Sequence, residues 1–237
     1  MTPNHLTPYA IAIDGPMGVG KSTVAKLLAH MLDITYIDTG AMYRAVAYYC
    51  VQNHIDLSTP EALEAALAHI EVQLRQEAGV HRVFLNGADI TDHIRTQEIS
   101  AITSQKVAVN QKVREFLVQQ QRHMATTTSV VMDGRDIASH VLPNAQLKIY
   151  LDAHPEIRAK RRALELENKG QTVDFKQILS DTITRDHIDK TRLISPLTQV
   201  PDAIPIDTGD LSPQTVAEKI TMLAKEVLSC FTTKSKA

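Results

Sequence analysis

The chain has 237 residues, of which 43% are hydrophobic, so it is long enough to bury a core as one domain with a sizeable insertion. Its formal net charge of -2 creates no global field that would draw it to nucleic acid or to an anionic membrane, and any basic site must be local. The two cysteines, Cys50 and Cys230, lie far apart, form no metal-ligand spacing and suit a reducing compartment.

The segment Met1 to Pro8 has neither a basic start nor an apolar run and is not read as a signal peptide. No stretch approaches the ~20 apolar residues of a membrane span, so a cytoplasmic protein is expected. Tyr9 to Ile13 is a short apolar run, followed by glycines and a helical pattern of Val24, Leu27, Leu28 and Met31. Ile34 to Ile37 is a second strand candidate and Met42 to Val51 a second helix. Glu71 to Thr96 breaks this rhythm. It reads as short alternating strands around Glu77-Ala78-Gly79 and Asn86-Gly87, the latter a strong hairpin signal, and so as a small antiparallel insert.

Further along, Ile102 to Met124 is expected as one helix, Ser129 to Met132 as a buried strand and Leu147 to Leu151 as another. Helical patterns then cover Pro155 to Glu167 and Phe175 to Ile188, with Ala203 to Ile206 as a fifth strand. Ser212-Pro213 opens a last amphipathic helix carrying Val216, Ile220, Leu223 and Val227 on one face. Strands alternating with helices imply an α/β fold, a parallel core sheet with helices on both faces.

The sharpest signal is Gly15-Pro16-Met17-Gly18-Val19-Gly20-Lys21-Ser22, a full P-loop pattern with an apolar strand before it and a helix after it. Glycines let the backbone curl so that successive N–H groups face an anion, and the helix start adds its positive dipole end. Lys21 can reach the outer phosphates of a nucleoside triphosphate, and the Ser22 hydroxyl can ligate Mg²⁺.

A P-loop by itself fits a GTPase switch, a motor ATPase or a small-molecule kinase. No Asn-Lys-x-Asp or Thr-Lys-x-Asp guanine reader occurs in the sequence. A motor ATPase usually follows its second apolar strand with Asp-Glu, whereas Val130-Val131-Met132 leads into Asp133-Gly134-Arg135-Asp136. Asp133 can help hold Mg²⁺ through water, but no carboxylate follows it directly to activate hydrolysis, and an arginine comes next after Gly134. An arginine there suits an anionic acceptor, and a kinase is the better reading.

Arginine holds phosphate through a planar fork of two parallel hydrogen bonds. Arg44 and Arg135 both fall just past strand ends, where open parallel sheets bind ligands. Arg158, Arg161 and Arg162 lie on the helix after the fourth core strand, beside the polar turn Glu167-Asn168-Lys169-Gly170-Gln171-Thr172. Two readings of them stay open: a charged helix face, or half of a lid. The ten histidines show no metal-ligand pattern.

Together these motifs resemble the bacterial cytidylate (CMP/dCMP) kinases, over most of the chain. The resemblance rests on IAIDGPMGVGKSTVAKLLA (Ile11–Ala29), YIDTGAMYRAVA (Tyr36–Ala47), IRTQEIS (Ile94–Ser100), VMDGRDIASHVLPNAQLKIYLDA (Val131–Ala153), RAKRRALEL (Arg158–Leu166), RDHIDKTRLISPL (Arg185–Leu197) and DAIPIDTGDLS (Asp202–Ser212). It implies a single P-loop kinase domain over residues 1–237, with an acceptor-binding insert near 65–98 and a lid near 158–185. It further implies that Gly15 to Thr23 bind the ATP phosphates, helped by Arg158 and Arg162, with Lys21, Arg135, Arg161 and Arg192 acting on the transfer itself. Arg44, Arg135 and Arg192 would hold the acceptor phosphate, with Gly134 beside them. Asp136 and Arg114 would address cytosine, and Arg185 and Asp189 the sugar hydroxyls. Thr39 and Tyr43 would line the acceptor side, Thr39 standing where the family often has serine.

The family also commonly carries a base-contacting serine in a Ser-x-Val-Ala setting, where this chain has Ser104-Gln105-Lys106-Val107-Ala108. Strict alignment puts Gln105 there, with Ser104 one place off. The expected ligands are ATP with Mg²⁺ and CMP or dCMP, and the expected state is a monomer. A kinase for UMP, AMP or dTMP and a non-transferase ATP-binding module are the alternatives.

Overall fold

A computed structural model describes residues 8–77, 79–168 and 170–234, with side chains as far as residue 229. The expectations for the N-terminal segment through residue 7, for Ala78 and Lys169 in their turns, and for the Cys230 thiol lie outside the described residues.

The first half of the chain forms β1 (Ala10–Asp14), α1 (Lys21–Leu32), β2 (Thr35–Asp38), α2 (Thr39–Gln52) and α3 (Pro60–Ala66). An antiparallel group follows, β3 (Val72–Glu77), β4 (Val80–Leu85) and β5 (Ala88–Asp89), then α4 (Gln97–Ile102) and α5 (Gln111–Thr127). The remainder forms β6 (Val130–Gly134), β7 (Leu147–Asp152), α6 (Pro155–Glu167), α7 (Phe175–Thr191), β8 (Ile204–Asp207) and α8 (Pro213–Lys234).

The chain divides into two compact units. One comprises residues 1–36, 123–191 and 195–237, the other residues 37–122 and 192–194, so that the division falls inside β2 and α5.

The five-stranded sheet has the order β2-β6-β1-β7-β8, and β1 pairs in parallel with both β6 and β7. Every residue of β1 is buried, the pattern of a strand covered on both faces. Ile11, Ile13, Ile149 and Leu151 pack against Val24 and Leu28 of α1 and Val216, Ala217 and Ile220 of α8. The apolar stripes read at these helical spacings therefore define one layer of the core. β1 and β6 pair in parallel, so their carboxyl ends, Asp14 and Gly134, lie side by side at the edge where open parallel sheets bind ligands.

In the second unit β3, β4 and β5 make the antiparallel sheet expected of the insert. Asn86 and Gly87 turn β4 into β5 with φ of 50° and 82°, as a tight hairpin of matching twist demands. Ile94, Ile99, Val107, Val113 and Leu117 are buried here.

Most strand and helix ends fall within a few residues of the sequence reading, and two helices depart from it for a visible reason. The second helix begins at Thr39, not Met42, because the Asp38 carboxylate accepts the Ala41 N–H at 2.8 Å and caps it. The single helix expected over Ile102 to Met124 is two helices. Thr103–Val107 winds as a π-helical turn, and the Asn110 side chain accepts the Val113 N–H at 3.1 Å to start α5 afresh.

Candidate functional site

The loop between β1 and α1 is built so tightly that side chains are excluded from part of it. Gly15 has φ 151° and a Cβ there would stand 2.1 Å from the Leu151 carbonyl oxygen, while Gly18, at φ 80°, lies against Arg158. Lys21 is buried, and its ammonium donates to the Gly15 and Pro16 carbonyls at 2.8 and 2.7 Å. Burial, with Arg135 nearby, pushes its pKa down to about 7 against the pull of Asp133, Asp189 and Asp14. An anion cradled by the loop would restore the charge.

Beside the lysine, the Ser22 hydroxyl donates to one oxygen of buried Asp133 at 2.8 Å, and the Tyr36 hydroxyl donates to the other at 3.0 Å. A hydroxyl and a carboxylate brought together are hard oxygen donors of the kind Mg²⁺ prefers. Two residues on, Arg135 donates through Nε to Asp189 of α7 at 2.7 Å. Burial works against the charge on Arg135, yet Asp189, joined by Asp133 and Asp14, outweighs it and raises the pKa. Arg185 completes an ion pair with the same carboxylate at 3.9 Å. Asp136, buried, closes this stretch.

The arginines of α6 separate into three situations. Arg158 is only 2% exposed, so a solvated helix face does not describe it. It donates to the Ala153 and Met17 carbonyls at 2.8 and 2.9 Å and forks onto both oxygens of Asp186 on α7. Arg161 donates to the Thr208 hydroxyl at 3.1 Å and the Gly209 carbonyl at 3.2 Å, and also to the Thr208 carbonyl. Thr208 in turn donates to the Val19 carbonyl of the glycine loop at 3.1 Å. Arg162, a third exposed, pairs with Glu165 on its own helix at 2.8 Å.

In the second unit, Arg44 reaches both oxygens of Asp38 at 3.2 Å, and its Nε is buried without a hydrogen-bond partner. Gly40 makes room for it: a Cβ there would sit 3.1 Å from Arg44 Nη1. Thr39 and Tyr43 are buried at the head of α2. Arg114 is buried with its guanidinium 5.5 Å from the Tyr43 ring centre, a cation–π distance. Ser104 is buried and its hydroxyl donates to the carbonyls of Ser100 and Ala101 at 3.2 and 3.0 Å, whereas Gln105 is exposed. Arg192, half-buried, also belongs to this unit.

Sequence reasoning passed over Asp14, Tyr36, Asp186 and Thr208. For Asp14 the available signal was a charge closing an otherwise apolar strand. For the others it was a polar residue inside a motif whose neighbours had drawn the attention.

A glycine-rich loop closing on a buried lysine at the head of α1, at the carboxyl end of a parallel sheet, is the architecture of the P-loop kinases. The cytidylate kinase family model matches residues 11–226. The cytidylate kinase of Bacillus subtilis is 46% identical over 89% of this chain and 94% of its own length, and that of Alkaliphilus oremlandii 47% over 92% and 98%. Among solved structures, an uncharacterized protein from Eubacterium ventriosum shares the fold with a TM-score of 0.50 at 17% identity, covering 91% of this chain and 97% of that one. The chain belongs to the cytidylate kinase family.

Proposed function

We propose that this protein transfers the γ-phosphoryl group of ATP to CMP, and to dCMP, giving ADP and the nucleoside diphosphate. The observation that carries the reading is the sequence of groups past β6. Asp133, hydrogen-bonded to Ser22, is followed by Gly134, where a hydrolase would place a carboxylate to activate water, and then by Arg135, an anion binder. Membership of the cytidylate kinase family supports the same acceptor.

In this reading Gly15 to Thr23 hold the ATP phosphates and Lys21 meets the charge that moves from the γ-phosphoryl. Ser22, and Asp133 through water, hold Mg²⁺, which when bound offsets the negative charge of the phosphates. Arg135, Arg44 and Arg192 bind the acceptor phosphate, whose oxygen is already ionised at neutral pH and needs no general base. Asp136 and Arg114 address cytosine, with Ser104 or Gln105 assisting, and Arg185 and Asp189 take the sugar hydroxyls. Residues near 158–185 form the lid, through which Arg161 acts on the transfer. The enzyme works as a monomer in the cytoplasm; among the described residues no helix is long and apolar enough to cross a membrane.

A panel of acceptors offered with ATP, read as ADP formed, tests this. CMP and dCMP should be the preferred acceptors. Preference for UMP, AMP or dTMP would move the assignment to another monophosphate, and ATP turnover independent of acceptor would end the transferase reading.

A further inference from the structure

Asp14 takes no part in the roles above, yet it is among the most buried charges of the protein, 1% exposed at the last position of β1. Its two carboxylate oxygens are both used. One accepts the Ile137 N–H at 2.9 Å and the other the Ala138 N–H at 2.7 Å. Its backbone pairs across the parallel ladder with Gly134, the last residue of β6. Between Gly134 and Ile137 stand only Arg135 and Asp136, the two residues assigned above to the acceptor phosphate and to the base. One residue thus anchors both ends of that short loop, by main chain at Gly134 and by side chain at Ile137 and Ala138. The residue after Asp14 is Gly15, the first of the glycine loop.

We propose that Asp14 is a positioning residue for the acceptor: it sets Arg135 and Asp136 in register with the phosphate cradle that begins next to it. This deepens the proposed function and rests on it. The chemistry requires a carboxylate. Two parallel N–H groups call for two acceptor oxygens, which asparagine cannot supply, since its amide nitrogen would face one N–H donor to donor. An aliphatic residue would leave both N–H groups buried and unpaired. Burial raises the Asp14 carboxyl to about 7, and the two N–H donors act in the opposite direction, favouring the charged form.

The test compares wild type with Asp14→Asn and Arg135→Ala, measuring kcat and the KM for each substrate, together with binding of a non-hydrolysable ATP analogue. Asp14→Asn is expected to raise the KM for CMP at least tenfold while changing the analogue's Kd less than threefold. Equal weakening of both ligands, or an unchanged KM for CMP in a variant whose Arg135→Ala counterpart does lose CMP affinity, overturns the positioning role. If Arg135→Ala also leaves the KM for CMP unchanged, the assignment of this loop to the acceptor fails instead. Should Asp14→Asn not fold, amide hydrogen exchange of the wild-type protein decides: Ile137 and Ala138 are expected to exchange as slowly as the interior of β6. Exchange as fast as an open loop would mean that no such anchor exists.

Discussion

Ser22 and Asp133 are 111 residues apart in the chain and meet through a 2.8 Å hydrogen bond, one at the head of α1 and the other near the end of β6. Tyr36 fixes the second carboxylate oxygen, so the pair is held in one orientation before any ligand arrives. A preformed pair of oxygen donors spares the cost of assembling them when a cation binds. Ser22→Ala is expected to raise the Mg²⁺ concentration giving half-maximal rate by roughly tenfold, the order of effect for altering a metal's immediate surroundings. The check is a Mg²⁺ titration at saturating ATP and CMP. An unchanged titration curve would remove Ser22 from the metal's account.

Lys21 should couple ATP binding to proton uptake. Its pKa in the free protein lies at about 7, and the triphosphate's charge must raise it. Below that pH the amine is charged with or without ATP, and affinity is flat. Above it the free protein carries a neutral amine that must gain a proton on binding, so affinity falls as pH rises, by up to about tenfold per unit. Calorimetry at pH 8 in two buffers of different ionisation enthalpy should find close to one proton taken up, and none beyond that of ATP itself in Lys21→Met. Turnover in Lys21→Ala should fall by roughly 10²–10³-fold, as for loss of one preorganised charge at a reacting centre.

Arg161 and Arg162 are neighbours that should behave differently. Arg161 ties α6 to the Thr208–Gly209 loop, which itself touches the glycine loop at Val19. Arg162 makes a half-exposed ion pair with Glu165, of a kind worth about 0–1 kcal/mol. Steady-state kinetics on the two alanine variants should show turnover lowered in Arg161→Ala more than CMP affinity, with Arg162→Ala close to wild type. Wild-type turnover in both would mean that neither arginine serves the lid.

Base choice is expected to depend on Asp136. Cytosine offers an exocyclic amino donor to a carboxylate, whereas uracil turns a carbonyl oxygen to it. A buried polar group left unpaired costs about 1–3 kcal/mol, so UMP should be disfavoured by roughly tenfold to a hundredfold in kcat/KM. Asp136→Asn can rotate its amide to donate, and the CMP/UMP ratio should fall sharply. If both activities drop with the ratio intact, Asp136 serves its arginine neighbours and not the base.

The glycine pattern, the apolar strand before it and the helical spacing after it were enough to place the tight loop between β1 and α1 from the sequence, because a backbone that must curl so sharply restricts its residues locally. Binary patterning likewise carried the parallel sheet, and Asn86-Gly87 the antiparallel one, since turn chemistry and burial period act within a few residues. Tertiary contacts decided the rest. Nothing near Asp14 in the sequence announces that its oxygens will meet the amides of Ile137 and Ala138, more than a hundred residues away. Arg158, Arg161 and Arg162 share one helix and one local pattern. The fold buries the first against Asp186, lends the second to Thr208 and leaves Arg162 a third exposed beside Glu165. Pattern is short-ranged, whereas the partner of a charge is set by which strands and helices the chain brings alongside it.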